Sequence, residues 1–301
     1  MTRQWLAKIW PALLAVLLAG AVFLIFYRPP PPTAPPEPGY TIPRTVRYGF
    51  VVQNTTALPL KDVRFWARAP LRQTATQRCV KVDASHPFQV ESESPGDQVL
   101  AFVFDTLPPL ATKVVTVTAG LALSESPNRT TEDRIEEFLQ PAPFIEADHR
   151  KIRELADQLK NQKSTNPGRE IFNWITRHVQ NASFRKNSAG ALTVLRQGAG
   201  DCTEQAFLFV ALCRAVGIPS RPVGGYLCES DSVLSPNGYH NWAEFYHEGR
   251  WRIADPFYRV FDNGGGRYVA MRIVRPADAA PLAGMARFRV STPQAVARMG
   301  G

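Results

Sequence analysis

Gly198-Ala199-Gly200-Asp201-Cys202-Thr203-Glu204 decides how this chain is read, together with the apolar residues that follow it: Phe207, Leu208, Val210, Ala211, Leu212, Ala215 and Val216. The glycines supply a flexible turn, and the apolar run predicts a helix buried over most of its surface. Asp201 and Glu204 stand at the spacing of a capping box, so Asp201 is the predicted N-cap and Cys202 the first helical residue. Gly217 fits a left-handed C-cap, and Pro219 cannot continue the helix. A thiol at that position faces the positive end of the helix dipole, which favours the thiolate, the nucleophilic form. The blander role for a cysteine, a buried core thiol, does not suit a capped helix start. The bland role of Asp201 and Glu204 is capping alone.

A nucleophilic thiol needs a base. Tyr239-His240-Asn241-Trp242-Ala243-Glu244-Phe245-Tyr246 predicts a strand, Glu248-Gly249 a turn, and Trp251-Arg252-Ile253-Ala254-Asp255 the hairpin partner. Strand parity puts His240, Trp242, Glu244 and Tyr246 on one face, and Trp251, Ile253 and Asp255 on one face of the partner. If the aromatic set is the buried face, His240 and Asp255 share it, opposite or diagonal. A carboxylate beside an imidazole fixes its tautomer and supports the imidazolium. The expected site is therefore Cys202 as nucleophile, His240 as base and Asp255 as orienting acid. The competing reading is a salt-bridged hairpin without a catalytic role. Trp242 is expected in the site wall, as a candidate substrate-binding residue.

Around this centre, alternation in Val46, Tyr48, Phe50 and Val52 and further runs at Val63–Ala69, Thr74–Val82, Val99–Phe104 and Val114–Leu123 predict an antiparallel sandwich over residues 41–126. Cys79 and His86 read as structural there. From Thr131 the pattern turns helical, at Glu132–Leu139, Asp148–Leu159 and Arg169–His178. His149 and His178 read as structural or surface residues. Cys213 lies three turns beyond Cys202 and reads as core. Pairing of Cys213 with Cys228 stays open. No Cys-x-x-Cys or His-Glu-x-x-His spacing supports a zinc site, no acidic loop points to calcium, and no metal or cofactor is expected.

Ile9 to Tyr27 is an uncharged run of 19 residues, spanning roughly 28 Å as a helix, about one hydrocarbon core. No small-residue cleavage pattern follows it, so an uncleaved transmembrane signal anchor is expected over residues 1–28. Arg3 and Lys8 precede it, which leaves the N-terminus in the cytoplasm and exports the remainder to the periplasmic side. Seven of the ten residues from Pro29 to Pro38 are proline, predicting a stiff polyproline spacer over 29–40. The chain of 301 residues carries 35 basic and 26 acidic residues, a net charge of +9. The excess is spread without a basic block, which argues against a nucleic-acid partner, while attraction to anionic polymers or lipid remains open.

Gly-Asp-Cys-Thr-Glu at 200–204, Cys213-Arg214-Ala215-Val216-Gly217-Ile218-Pro219-Ser220-Arg221, Gly224-Gly225-Tyr226, Tyr239–Glu244 and Trp251–Pro256 together resemble the transglutaminase-like superfamily, over about residues 165–275. The resemblance implies a papain-like core, a cysteine helix packed on an antiparallel sheet, within residues 131–301, and hence an α+β chain overall. It also implies Cys202, His240 and Asp255 in the roles given above. Such families include crosslinkers, deamidases, peptidases and amidases, so the resemblance does not name a substrate. The expected activity is on amide bonds of a protein or peptide substrate through a cysteine thioester, by hydrolysis in preference to amine transfer. The alternatives are protein-glutamine amine transfer and a catalytically silent binding module. The Cys202 backbone N–H is a natural oxyanion donor, and a second donor is sought near Asn181-Ala182-Ser183-Phe184 without a compelling residue.

Overall fold

Alternating burial along the first strands produces two facing antiparallel sheets. In the computed structural model, which describes residues 39–300 except 93, 95, 131–134, 161–165, 186–187 and 276–286, β1 (Ile42–Asn54), β6 (Thr112–Leu123) and β3 (Gln77–Ala84) pair in one sheet. The strands β2 (Leu60–Arg68), β5 (Val99–Leu107) and β4 (Gln89–Glu91) pair in the other. Val46, Tyr48, Phe50 and Val52 point inward from β1 against Val63, Phe65 and Ala67 of β2 and Phe102 and Phe104 of β5. This is the expected sandwich. The predicted anchor and proline spacer lie outside the described residues, apart from the spacer's last two, Gly39 and Tyr40. Among the described residues no helix is long and apolar enough to cross a membrane.

The second region is built on β9 (Ser220–Leu227), β11 (Tyr239–His247), β12 (Arg250–Asp255), β13 (Val260–Phe261) and β14 (Tyr268–Ile273), in the order β13-β12-β11-β9-β14. Glu248 and Gly249 both have positive φ, 52° and 78°, the two-residue turn that matches the twist of a hairpin. It sets the register Tyr246 to Trp251 and Glu244 to Ile253. Arg221 and Glu244, both buried, pair at 2.9 Å between the facing strands β9 and β11. Gly225 has no room for a side chain: a Cβ would run into the Val269 carbonyl oxygen and lie 3.0 Å from the Trp242 ring.

Helices cover one face of this sheet. They are α1 (Arg150–Lys160), α2 (Pro167–His178), α3 (Ala191–Gln197) and α4 (Cys202–Ala215). The buried residues of α4 pack on Ala243, Phe245 and Ala254 below, and on Ile152, Ala156, Ile171 and Ile175 of α1 and α2 above. Its C-terminus closes as a Schellman motif: Gly217, at φ 83°, donates to the Arg214 carbonyl at 3.0 Å, and Ile218 to that of Cys213 at 2.9 Å. The opposite face of the sheet carries Trp242, Trp251 and Ile253 against Leu71, Ala75 and Phe138. The sheet is thus a middle layer, buried on both sides. Helix predicted from Glu132 to Leu139 is, in its described part, a 3-10 turn at Ile135–Leu139.

Three short strands from the second region complete the sandwich. The strand β10 (Ser232–Val233) runs parallel to β1, β16 (Ala295–Met299) antiparallel to it, and β15 (Phe288–Val290) pairs with β2. The strands Phe288–Val290 and Ala295–Met299, placed by sequence within the mixed α and β region of 131–301, therefore pair with the sheets of the sandwich. The sandwich core also continues into Tyr226, Cys228, Val269 and Met271 of the middle sheet. Cys213 and Cys228 are unpaired and buried in separate clusters. Burial pushes the Cys213 thiol far above its ordinary range.

Candidate active site

Cys202 opens α4 as the capping residues predict. Asp201 Oδ1 accepts from the Glu204 backbone N–H at 3.0 Å, and Glu204 Oε2 accepts from that of Asp201 at 3.1 Å. The box also organises the loop before it. Asp201 Oδ2 accepts from the Arg185 N–H at 3.2 Å, and Glu204 Oε1 from the Ala189 N–H at 2.8 Å. Glu204 is completely buried, so these backbone bonds compensate its desolvation. Cys202 itself is half-buried, so its thiol is within reach of the cleft.

His240 Nε2 and Asp255 Oδ2 are 2.7 Å apart and buried. The hairpin register places Asp255 diagonal to His240, on the face that also holds Trp242, Trp251 and Ile253. With Nε2 on the carboxylate, Nδ1 is the ring nitrogen left for the thiol, and Cys202 lines the same cleft as the imidazole. Burial alone would push the imidazole down. Hydrogen bonds to Asp255 and Cys202 and the charge of both outweigh it and hold His240 up at about 9. The imidazolium is thus the form present at neutral pH, beside the thiol.

The three predicted site residues therefore come together, and three further contacts hold them there. Tyr268 O–H, on β14, donates to Asp255 Oδ2 at 2.9 Å, and the Tyr258 N–H donates to Oδ1 at 3.2 Å. Asn241 Nδ2 donates to Thr203 Oγ1 at 2.9 Å; these residues follow His240 and Cys202 in sequence, so the bond pins the histidine strand to the cysteine helix. Tyr268 carried no sequence signal. Asn241 and Thr203 could have been found by proximity to the two motifs.

Trp242 is placed differently from the wall position expected of it. It is 1% exposed, stands behind the imidazole with ring centroids 6.3 Å apart, and packs edge-on against Tyr268. The Asn181 amide is also engaged elsewhere: its Oδ1 accepts from Gln205 at 2.8 Å and its Nδ2 donates to the Phe257 carbonyl at 3.2 Å. His149 caps α1 by accepting from the Lys151 N–H at 3.2 Å, and His178 stacks on Trp174. Both are structural. No cluster of metal-binding side chains occurs among the described residues.

Cys202 and His240 open on a cleft of about 670 Å³ whose walls are Phe184, Arg185 and Thr203 on the helix side and Pro236, Tyr239, Tyr258 and Arg287 on the strand side. A capped helix presenting a thiol to a carboxylate-held imidazole defines a papain-like thiol site. Residues 153–256 match the family model of the Transglutaminase-like superfamily, and this part of the chain is a transglutaminase-like core. Among solved structures, a candidate cysteine protease from Cytophaga hutchinsonii superposes with a TM-score of 0.59 at 21% identity, over 84% of this chain and 88% of that one. That likeness is one of fold. The periplasmic domain of TgpA from Pseudomonas aeruginosa, bound to ethylmercury, aligns at 19% identity with a TM-score of 0.39, over 71% of this chain and 90% of that one. No curated protein matches the chain significantly.

Proposed function

We propose that this protein is a cysteine enzyme that cleaves amide bonds of proteins or peptides through a thioester at Cys202. The observation that supports it best is the row Cys202, His240, Asp255 opening on a substrate-sized cleft. The Cys202 thiolate attacks the amide carbonyl, and the charge on oxygen faces the N-terminus of α4, where the Cys202 backbone N–H is a donor. His240 gives its proton to the departing amine as the carbon–nitrogen bond breaks and the thioester remains. A water then gives a proton to His240 and attacks the thioester, forming the acid and restoring the thiolate–imidazolium pair. Asp255, fixed by Tyr268 and the Tyr258 N–H, keeps the imidazole in one tautomer through both steps.

Water as the second nucleophile is favoured by the openness of the cleft. Phe184 is 80% exposed and Tyr258 is 52% exposed, so the walls do not shield the thioester from solvent as amine transfer requires. In the same reading, Ile9–Tyr27 anchors the chain in a membrane and leaves the catalytic region on the extracytoplasmic side.

The test uses the full chain in detergent with a peptide p-nitroanilide and, in parallel, a glutamine peptide with a labelled primary amine. Release of nitroaniline that disappears in Cys202→Ala, with the circular dichroism unchanged, is expected. Labelled adduct without hydrolysis would replace hydrolysis by amine transfer. Cys202 that reacts with iodoacetamide at pH 7 no faster than a free thiol would leave a silent binding module.

A further inference from the structure

The cleft is electrostatically one-sided, and this bears on what it binds. Among the described residues its lining contains a single carboxylate, Asp201. That group is buried, and both its oxygens are used, by the Glu204 and Arg185 backbone N–H groups. Two guanidinium groups line the same cleft. Arg185 borders the cysteine, and its side chain meets Gln197 Oε1 at 3.4 Å, with Glu204 Oε1 4.0 Å away. Glu204 already receives two short backbone bonds, so Arg185 gains little from it. Arg287 stands on the histidine side. Its Nη1 donates to the Pro236 carbonyl at 3.0 Å, and its guanidinium lies 5.0 Å from the Tyr239 ring centroid. No carboxylate pairs with Arg287 among the described residues. Among the described lining residues two guanidinium groups therefore face one carboxylate, an excess of one positive charge before the imidazolium is counted, in a chain whose net charge is +9.

Guanidinium groups bind carboxylates strongly because their planar donors match the two oxygens. A cleft with one such group on each wall selects against cationic peptides and draws in anionic ones. Phe184 and Tyr258 on the same walls offer apolar and aromatic surface for the peptide itself. Resting on the reading of Cys202 as an acylated nucleophile, we infer that the substrate is an acidic peptide, one with a carboxylate close to the amide that is cleaved, and that Arg185 and Arg287 are its specificity determinants.

The probes are peptide vinyl sulfones, which a thiolate adds to irreversibly, identical except for Glu or Gln beside the electrophile, both with amidated C-termini. A third carries Gln and a free C-terminal carboxylate. Second-order inactivation is measured on the full chain in detergent at pH 7, with Cys202→Ala as the blank. The Glu probe is expected to react at least fivefold faster than the amidated Gln probe, with the advantage shrinking at high salt. The imidazolium attracts anions in any such pair, so the deciding comparison is the variant. In Arg185→Gln/Arg287→Gln the Glu-to-Gln ratio falls at least threefold, and Arg287→Lys retains more of it than Arg287→Gln. A faster third probe supports the same anion selection and assigns it to a terminal carboxylate. A wild-type ratio near one, or a ratio unmoved in a folded double variant, overturns the inference while leaving the thioester reading intact. Failure of Cys202 to react with iodoacetamide faster than a free thiol overturns both.

Discussion

Replacing Asp255 by Asn tests how the base is held, because the structure shows what each atom of that carboxylate does. Oδ2 accepts from His240 Nε2 at 2.7 Å and Tyr268 O–H at 2.9 Å, and Oδ1 accepts from the Tyr258 N–H at 3.2 Å. An asparagine keeps one acceptor. If its oxygen stays with His240 and Tyr268, its NH2 faces the Tyr258 N–H, donor against donor. If it turns round, the imidazole loses its acceptor. In either pose the charge is gone. His240 is held at about 9 against the pull of burial, chiefly by Asp255 and Cys202, and each unit of such a shift is about 1.4 kcal/mol. Losing the Asp255 share costs a large part of roughly 3 kcal/mol of imidazolium stabilisation. Thiol enzymes depend less on the third member than serine enzymes do, since the thiolate forms more readily. The expected loss in kcat/KM is ten- to a thousandfold, about 1.4–4 kcal/mol, smaller than that of His240→Ala.

The pH dependence fixes the assignment. Activity in the wild type should fall as pH rises through about 9, where the imidazolium loses its proton. Stability follows the same sign. The folded-state pKa is raised, so the contribution is complete below the unfolded value near 6.5 and is lost as pH rises through about 9. In Asp255→Asn the alkaline limb and the His240 titration, read by NMR of nitrogen-labelled histidine, should move down by at least one unit. A nitrophenyl ester, whose leaving group needs no proton, should suffer less than the nitroanilide. An unmoved His240 titration in the variant, or unchanged turnover with His240→Ala dead, would mean that another group orients the base, and the argument from the carboxylate would fail.

Tyr268→Phe removes only the hydroxyl that holds Asp255 Oδ2; kcat should fall about three- to tenfold, roughly 0.7–1.4 kcal/mol, with KM unchanged, and a change in KM alone would count against a positioning role. Gln77→Leu should lower the thermal midpoint and destabilise the fold by about 1–3 kcal/mol, because it leaves the buried Ala270 N–H without an acceptor; an unchanged melt refutes that. Removing residues 1–28 should release a soluble, folded, active protein, and a fragment that stays in the membrane pellet after carbonate washing would contradict a single anchor.

What could be read from the sequence was local. The capping box rests on two residues three apart, and the hairpin on a two-residue turn that leaves one register. Parity then brought Asp255 to His240. Parity said less about Trp242, since both faces of the middle sheet are buried and alternation cannot distinguish a cleft wall from the core behind it. Tyr268 reaches Asp255 across the sheet from β14, whose neighbour is β9, an order that no local pattern specifies. The strands β10, β15 and β16 have two, three and five residues, too short for alternation to show, so their place on the sandwich was not legible either.

A buried side chain links the sandwich to the site. Gln77, on β3, is fully buried; its Nε2 donates to the carbonyls of Leu71 at 2.8 Å and Ala270 at 3.0 Å, and its Oε1 accepts from the Ala270 N–H at 2.8 Å. The Leu71 N–H adds a bond to the Ala270 carbonyl at 2.9 Å. Ala270 lies in β14, where the pairing with β9 skips a residue between Ala270 and Arg272, so its backbone groups depend on partners outside the sheet. Two residues earlier in the same strand, Tyr268 holds the carboxylate of Asp255. Gln77 therefore ties the sandwich to β14 at Ala270, and the same strand, through Tyr268, holds the Asp255 carboxylate that bonds His240, so the packing of the sandwich bears on how the imidazole is oriented.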